Sequence, residues 1–174
     1  MATLHAPVAE EMGKKALTGV SQWGPIETVY SMLRSGRPAP AIILTFSVNM
    51  CLGAFLSTTL TGVIPGIGVI GPVAVTVLRG FLIGMIYPPV LEVSTPMLML
   101  GVGTLILELG GYVFSAAAGM GIAISTLRPR LFNASSRMGA FKAAWAEAAR
   151  IYVLVATLLA AGAVWEITGL FVLM

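Results

Sequence analysis

The stretch PMLMLGVGTLILELGGYVFSAAAGMGIAIST, residues 96–126, decides the fold of this chain. Its 31 residues contain one acidic side chain, Glu108, and no Asp, Lys, Arg or His. An apolar stretch of this length is typical of a helix that crosses the hydrocarbon core of a membrane. A carboxyl group near the middle of such a helix is costly, and residues of this kind usually have a function. The stretch therefore predicts a helical membrane protein, with Glu108 as the first candidate functional residue.

The composition of the whole chain also favours a membrane protein. Hydrophobic residues make up 57% of the 174 residues and charged residues only 10%, whereas a soluble domain carries about 25% charged residues. Most charges fall in two clusters, Glu10 to Arg37 and Arg128 to Arg150. The net charge of +3 is interpreted as the Lys and Arg excess of cytoplasmic loops. We expect a location in a prokaryotic cytoplasmic membrane and no nucleic-acid partner.

The apolar pattern predicts an all-α fold with a transmembrane domain of residues 39–174 and four or five apolar segments. Besides the stretch 96–126, such segments are expected at Pro40 to Leu60, Val73 to Ile86 and Trp145 to Trp165. The stretch 96–126 is too long for one ordinary span and too short for two. Its six glycines favour a break in the helix near Glu108, of the kind that membranes tolerate inside a protein or beside a cavity.

Residues 1–38 are predicted to form an amphipathic helical leader that is cytoplasmic or lies on the membrane surface. Two Glu–Lys pairs at i,i+4 spacing between residues 10 and 15 support a first helix. Pro25 can begin a second helix, and Gly36 can end it. The alternatives are a leader that caps a partner and a solvated helical leader.

Basic residues predict the orientation of the spans. Arg34 and Arg37 precede the first span, and Arg128 begins a second basic cluster before the last span. Both clusters are expected on the cytoplasmic side, together with the N-terminus. This requires an even number of crossings between the clusters. A re-entrant glycine-rich segment after the first span would satisfy the requirement, and so would the break near Glu108, which we favour.

Four polar residues inside the apolar segments are candidates for a structural role or for a polar path: Glu108, Arg79, Asn49 and Glu166. Arg79 and Glu108 are predicted to pair, because a turn near Leu91 would bring them within reach of each other. Such a pair would either fix the register of two helices or line a path for protons or ions. Asn49 is expected to form an interhelical hydrogen bond.

Small residues at i,i+4 spacing are candidates for close helix packing, because they allow helix backbones to approach. Three pairs have this spacing: Gly62 and Gly66, Gly80 and Gly84, Ser115 and Gly119. Packing within the chain is favoured over a homodimer seam. The run from Gly66 to Gly71 also matches GxGxxG, but that motif binds a dinucleotide only after a β-strand, and here a membrane span precedes it.

Catalytic, cofactor-binding and metal-binding residues are not predicted. His5 is the only histidine and Cys51 the only cysteine, and the chain has no Asp. Nucleophile–base pairs and metal-ligand spacings therefore cannot be assembled within the spans. We expect no cofactor and no enzymatic activity.

Several short motifs follow one another in a recognisable order: Phe46-Ser47-Val48-Asn49, Gly66-Ile67-Gly68, Arg79-Gly80 with Gly84, Glu108-Leu109, Ala117-Ala118-Gly119 and Glu166. In this order they resemble the stage II sporulation protein M family of polytopic membrane proteins, over roughly Ala41 to the C-terminus. Arg79 stands where the family tends to have Asn, and Gly110 and Gly111 replace the Pro and Ala of a Glu-Leu-Pro-Ala motif. The resemblance implies a helical membrane scaffold or a permease-like subunit.

The predicted function is a non-enzymatic integral subunit or scaffold of a larger membrane assembly. Its expected partners are the lipid bilayer and other membrane subunits, in a homo- or hetero-oligomer. The alternative is a transporter or channel component, in which Glu108, Arg79 and Asn49 line a polar path.

Overall fold

The computed structural model describes residues 24–64, 67–90 and 94–173, and all regular structure in these ranges is helical. The all-α prediction is therefore confirmed for this part of the chain. The elements in chain order are α1 (Gly24–Arg34), α2 (Pro38–Ser47), a π-helix (Val48–Leu56), a 3₁₀-helix (Thr59–Val63), α3 (Gly71–Val90), α4 (Thr95–Leu127), a second 3₁₀-helix (Pro129–Phe132) and α5 (Arg137–Leu173).

Within the described ranges, three helical segments are long and apolar enough to cross a membrane: Pro38–Val63, Thr95–Leu127 and Arg137–Leu173. The first combines α2, the π-helix and the 3₁₀-helix, and the other two are α4 and α5. Helix α3 contains a shorter apolar stretch, Gly71–Phe81. The prediction of membrane-spanning helices is thus supported for three segments, and the expected count of four or five is not confirmed.

Side-chain contacts define the directions of the long helices. Asn49 meets Glu108 and Thr59 meets Ser115, so the α2 segment and α4 run parallel. Trp165 near the end of α5 donates a hydrogen bond to the Leu100 carbonyl oxygen near the start of α4. Helix α5 therefore runs antiparallel to both.

Helix α3 also runs antiparallel to α4. Its first turn lies beside the C-terminal half of α4, since Pro72 is next to Gly119. One to two turns later, the Arg79 guanidinium lies over the Tyr112 ring. Successive helices of the bundle therefore run in alternating directions, in the order α2 segment, α3, α4 and α5.

The helix directions contradict the expectation that both basic clusters share one side. Arg34 and Arg37 precede α2, which starts at the same end of the bundle as α4. The cluster that begins at Arg128 follows the other end of α4. The two clusters therefore lie at opposite ends of the bundle, because parallel helices begin at the same end and α4 makes no return.

The predicted break near Glu108 is wrong, because α4 is one continuous helix of 33 residues. Two of its glycines instead make room for α5. A Cβ atom at Gly103 would run into the Trp165 indole ring, and one at Gly111 would lie 2.8 Å from Leu159 Cδ2. The continuous helix is about 50 Å long, so a bilayer accommodates it by tilt or by projecting ends.

The core lies between α4 and α5, with a second layer from the α2 segment. One cluster joins Ala54, Tyr112 and Leu159. A second cluster joins residues of the C-terminal half of α4 to the N-terminal half of α5: Ala118, Ile122, Ala144 and Ala148. These small side chains let the two helices pack closely.

The helix expected after Pro25 is present as α1, and Gly36 follows it with a φ of 70°. Leu33 of α1 packs with Ala41 of α2 and Ile167 of α5. Residues 24–37 therefore lie against one end of the bundle and contact the predicted transmembrane domain. The first predicted leader helix falls in residues 1–23, outside the described residues.

Candidate functional site

The first spanning segment changes from an α-helix to a π-helix at Val48, and this change positions the polar residues of the site. The nine residues Val48–Leu56 have π geometry, and the Ser57 N–H donates to the Leu52 carbonyl oxygen at 3.1 Å, five residues back. The Thr58 hydroxyl donates to the Gly53 carbonyl oxygen, also five residues back, at 2.9 Å. Hydroxyls that bond to backbone carbonyls in this way compete with regular helix bonds. Short π-helical segments are rare and frequently occur at functional sites.

Asn49 in the π-helix connects two residues of α4. Its Nδ2 donates to Glu108 Oε1 at 2.5 Å, and its Oδ1 accepts a hydrogen bond from the Tyr112 hydroxyl at 3.1 Å. Glu108 and Tyr112 are one helical turn apart on α4, so one amide side chain satisfies both. The structure therefore brings two of the four predicted polar residues into direct contact.

Arg79 of α3 enters the same network from another side. Its Nη1 donates to Thr58 Oγ1 at 2.7 Å, and its Nη2 donates to the Gly53 carbonyl oxygen at 2.9 Å and to Ser57 Oγ. The guanidinium carbon lies 4.3 Å from the centroid of the Tyr112 ring, within cation–π distance.

The predicted direct pair of Arg79 and Glu108 is not formed, since the described residues contain no ion pair between them. The two side chains are instead connected through intermediates. Arg79 lies on the Tyr112 ring, the Tyr112 hydroxyl donates to Asn49, and Asn49 donates to Glu108. We call these four residues the polar relay, a name that describes their connectivity. The prediction failed because it considered α3 and α4 alone, whereas the π-helix lies against both.

Gly53 makes this arrangement sterically possible. It is buried, and a Cβ atom there would lie 2.8 Å from Tyr112 Cε1 and 2.9 Å from its hydroxyl oxygen. The glycine therefore lets the Tyr112 ring approach the π-helix closely enough for its hydroxyl to reach Asn49. A larger residue would displace the ring that lies under Arg79.

A second polar cluster lies further along the same helices. The Thr59 hydroxyl is 2.9 Å from the Ser115 carbonyl oxygen and 2.7 Å from the Tyr152 hydroxyl of α5. Ser115 Oγ in turn donates to the Ala54 carbonyl oxygen at 3.1 Å. Thr59 and Ser115 are fully buried. Hydrogen bonds thus connect α5 to the two parallel helices at this level.

Two of the predicted helix-packing residues meet inside the chain. A Cβ atom at Gly62 would collide with the Gly119 backbone, and one at Gly119 would lie 2.9 Å from the Thr59 carbonyl oxygen. The neighbouring small residue Ser115 is buried in the same contact region. Gly62, Ser115 and Gly119 therefore occupy an intramolecular contact.

Gly80 does not take part in this contact, since nothing among the described residues lies within 4 Å of a Cβ atom built there. No described residue therefore covers the Gly80 position. Gly84 lies one turn further along α3, and Gly66 lies outside the described residues.

Glu166, the fourth predicted polar residue, lies near Glu108 but forms no hydrogen bond with the polar relay. It is half-buried on α5, one turn beyond Gly162, whose Cβ position would lie 3.4 Å from Glu108 Cγ. No hydrogen bond joins its carboxylate to a described residue. It follows Trp165, whose indole nitrogen bonds to the Leu100 carbonyl oxygen at 3.1 Å.

A cavity of about 330 Å³ lies beside the polar relay. Asn49, Arg79 and Tyr112 line it, together with Ser57 and the backbone of Gly53. Its lining offers amide, hydroxyl and guanidinium groups, which can bind a small polar or anionic species. Within the described ranges, no three His, Cys, Asp or Glu side chains come together to hold a metal ion.

Sequence reasoning did not identify Tyr112, Tyr152 or the run Ser57 to Thr59 as site residues. The hydroxyl run was a usable signal, since three consecutive hydroxyl residues within an apolar span need partners in a membrane. The two tyrosines had no such signal, because a single aromatic residue in an apolar helix is ordinary.

Comparison with models of known protein families, with curated proteins and with solved structures gives no match for this chain. The resemblance to the stage II sporulation protein M family therefore rests on the sequence motifs alone and stays a prediction.

Proposed function

We propose that this chain is a non-enzymatic integral membrane subunit that presents one face of α3 to another membrane protein. The observation that carries the proposal is the open position at Gly80, on a helix whose rotation the polar relay fixes. The first part of the proposal is a rigid bundle, and the second is an apolar face suited to a close helix contact.

The rigid bundle follows from the bonds of Arg79. Its guanidinium bonds to Gly53 and Thr58 and stacks on Tyr112, so α3 cannot rotate freely about its axis. Arg79 and Gly80 are adjacent and lie about 100° apart around the helix. Fixing Arg79 toward the bundle therefore turns Gly80 to the flank of α3, where no described residue lies within 4 Å of its Cβ position.

The face around Gly80 is apolar, and no described residue covers it. Val77, the i−3 neighbour of Gly80, is 65% exposed, and Phe81, which follows Gly80, is 61% exposed. A glycine beside these large apolar side chains leaves a groove in which another helix backbone can approach closely. An ordinary lipid-facing helix needs no such groove, and this favours a protein partner.

The proposed location is a prokaryotic cytoplasmic membrane, with α3 as a fourth crossing beside the three span-length helices. The end of the bundle with Arg128, Arg130, Arg137 and Lys142 faces the cytoplasm, since these are four Lys and Arg within about 20 residues of a span, whereas the other end has two, Arg34 and Arg37. Residues 24–37 then lie on the opposite side, which reverses the expected cytoplasmic placement of the N-terminal part.

Purification in a mild detergent tests the proposal, with mass spectrometry of the proteins that remain bound. Gly80→Leu fills the groove without an internal clash, so it should keep the thermal stability of the chain and lose the bound partner. Gly121→Leu is the matched control, because its Cβ position on α4 also has no described neighbour within 4 Å. Equal recovery of the same partner with wild type and Gly80→Leu would refute the proposal.

The distinction between a second copy and a different subunit needs one further variant. Cys51 is the only cysteine, so Cys51→Ser with Val77→Cys leaves a single thiol beside Gly80. Oxidative crosslinking to a dimer of this chain would identify a homo-oligomer. Crosslinking to a chain of another mass would identify a hetero-oligomer.

A transporter or channel component is the second candidate, and the cavity beside the polar relay supports it. The cavity of about 330 Å³ is lined by Arg79 and by polar groups of Asn49 and Tyr112, which suit a small anion. Vesicles containing the purified chain and loaded with chloride or acetate test this function. Anion release that is lost in Arg79→Gln and kept in Arg150→Gln would support a transport function. Anion release no faster than from protein-free vesicles would refute it.

A further inference from the structure

A groove near the C-terminal end of α4 lies next to the larger basic cluster. Its volume is about 390 Å³. Its lining includes Val63, Ile122 and Phe141, and most of its other lining residues are apolar or glycine. It is distinct from the polar relay and from the Gly80 face, which lie elsewhere on the bundle.

Two basic side chains directly adjoin this groove in sequence. Leu127 and Phe141 line it, and each is followed by an exposed basic residue, Arg128 and Lys142 respectively. Arg130 and Arg137 in the connecting segment are exposed as well.

No acidic residue occurs between Glu108 and Glu147, so nothing in the connecting segment neutralises these four cations. Glu147 itself is paired with Arg150 at 2.9 Å. The segment that adjoins the groove in sequence therefore carries four cations and no acidic residue.

The connecting segment is held against the bundle. Phe132 in the second 3₁₀-helix packs on the cluster that contains Ile122 and Ala144. The basic residues on either side of Phe132 therefore keep a fixed position relative to the groove.

We propose that this groove binds an anionic phospholipid, with one acyl chain against Val63, Ile122 and Phe141 and the phosphate against Arg128 and Lys142. The combination of an apolar groove with an adjacent cationic segment is the argument for this occupant, because an anionic lipid joins an apolar acyl chain to an anionic headgroup. Basic pockets between membrane helices bind acidic headgroups in this way. The inference requires the proposed membrane location and is independent of the partner at Gly80.

Native mass spectrometry of the full chain in neutral detergent tests the site, with phosphatidylglycerol and phosphatidylcholine as probes. Wild type should bind phosphatidylglycerol in preference to phosphatidylcholine. Each removed charge should weaken phosphatidylglycerol binding about fivefold, so that Arg128→Gln/Arg130→Gln/Lys142→Gln loses about a hundredfold. Phosphatidylcholine binding should be unchanged in that variant.

Two further variants separate the groove from the charges. Thr126→Phe places a ring into the groove from an exposed position and leaves every charge, and it should also lose phosphatidylglycerol binding. Arg150→Gln removes a cation that Glu147 already neutralises, and it should bind as wild type does.

Equal binding of the two lipids by wild type would overturn the inference, and so would a triple variant that keeps its affinity for phosphatidylglycerol. If the triple variant loses phosphatidylglycerol binding and Thr126→Phe keeps it, the acyl chain does not lie in the groove. Recovery of a bound protein in place of lipid would assign the groove to a different occupant. None of these results would affect the test at Gly80.

Discussion

Replacing Asn49 by Leu should destabilise the bundle, because it removes two interhelical hydrogen bonds at once. Asn49 donates to Glu108 at 2.5 Å and accepts from Tyr112 at 3.1 Å. Interhelical hydrogen bonds in membranes contribute about 0.6 kcal/mol on average and about 1.7 kcal/mol at most. Two bonds give an expected loss of about 1–3 kcal/mol in the free energy of unfolding.

A double-mutant cycle with Glu108→Leu isolates the contact between the two side chains. Each single variant removes the Asn49–Glu108 bond, and the double variant removes it only once. The double variant should therefore lose about 0.6–1.7 kcal/mol less than the sum of the two single losses. The assay is reversible unfolding in mixed micelles, followed by circular dichroism.

The control cycle combines Glu108→Leu with Thr157→Ala. Thr157 is exposed on α5, and its hydroxyl bonds to Val153 of the same helix at 2.8 Å, so it shares no partner with Glu108. The losses in the free energy of unfolding caused by these two substitutions should be additive to within about 0.5 kcal/mol. Additive losses for Asn49 and Glu108 as well would refute the contact on which the polar relay depends.

Two further predictions use the same unfolding assay. Gly119→Ala should lose about 1–3 kcal/mol, because its Cβ would lie 2.9 Å from the Thr59 carbonyl oxygen. Gly121→Ala, in open space on the same helix, should gain up to about 1 kcal/mol from helix propensity, and the same sign for both variants would contradict the packing at Gly119. Arg79 and Glu108 form no direct bond, so the coupling free energy between Arg79→Leu and Glu108→Leu should be smaller than that between the Asn49 and Glu108 substitutions. A larger coupling free energy would indicate an ion pair.

The sequence alone predicts the class of fold and most of the polar residues of the site. Long apolar stretches with few charges predict helices, and the structure is helical throughout its described ranges. Asn49, Arg79 and Glu108 were selected because polar groups in apolar spans need partners. All three belong to the polar relay.

The break in α4 could not be predicted correctly, because glycine in a membrane helix has two common meanings. It can mark a bend, or it can allow close helix packing. Gly103 and Gly111 have the second role, since their Cβ positions are occupied by Trp165 and Leu159 of α5. Only the position of α5, which the local sequence does not contain, distinguishes the two.

The connectivity of the site was also beyond sequence reasoning. No sequence pattern predicted the π-helix from Val48, yet it brings Asn49 to α4 and the Gly53 carbonyl oxygen to Arg79. The orientation error has a related origin. Counting Lys and Arg identifies two basic clusters. Whether the clusters lie at the same end of the bundle depends on whether α4 turns back at a break, and α4 is continuous.

Thiol accessibility in intact cells tests the central claim, that the helices cross a membrane with the two basic clusters on opposite sides. In a Cys51→Ser background, Ser35→Cys and Ser135→Cys each place one exposed thiol beside one cluster. A membrane-impermeant maleimide should label Ser35→Cys before lysis and Ser135→Cys only after lysis. Equal labelling of both thiols in intact cells, or recovery of the chain in the soluble fraction without detergent, would contradict the account.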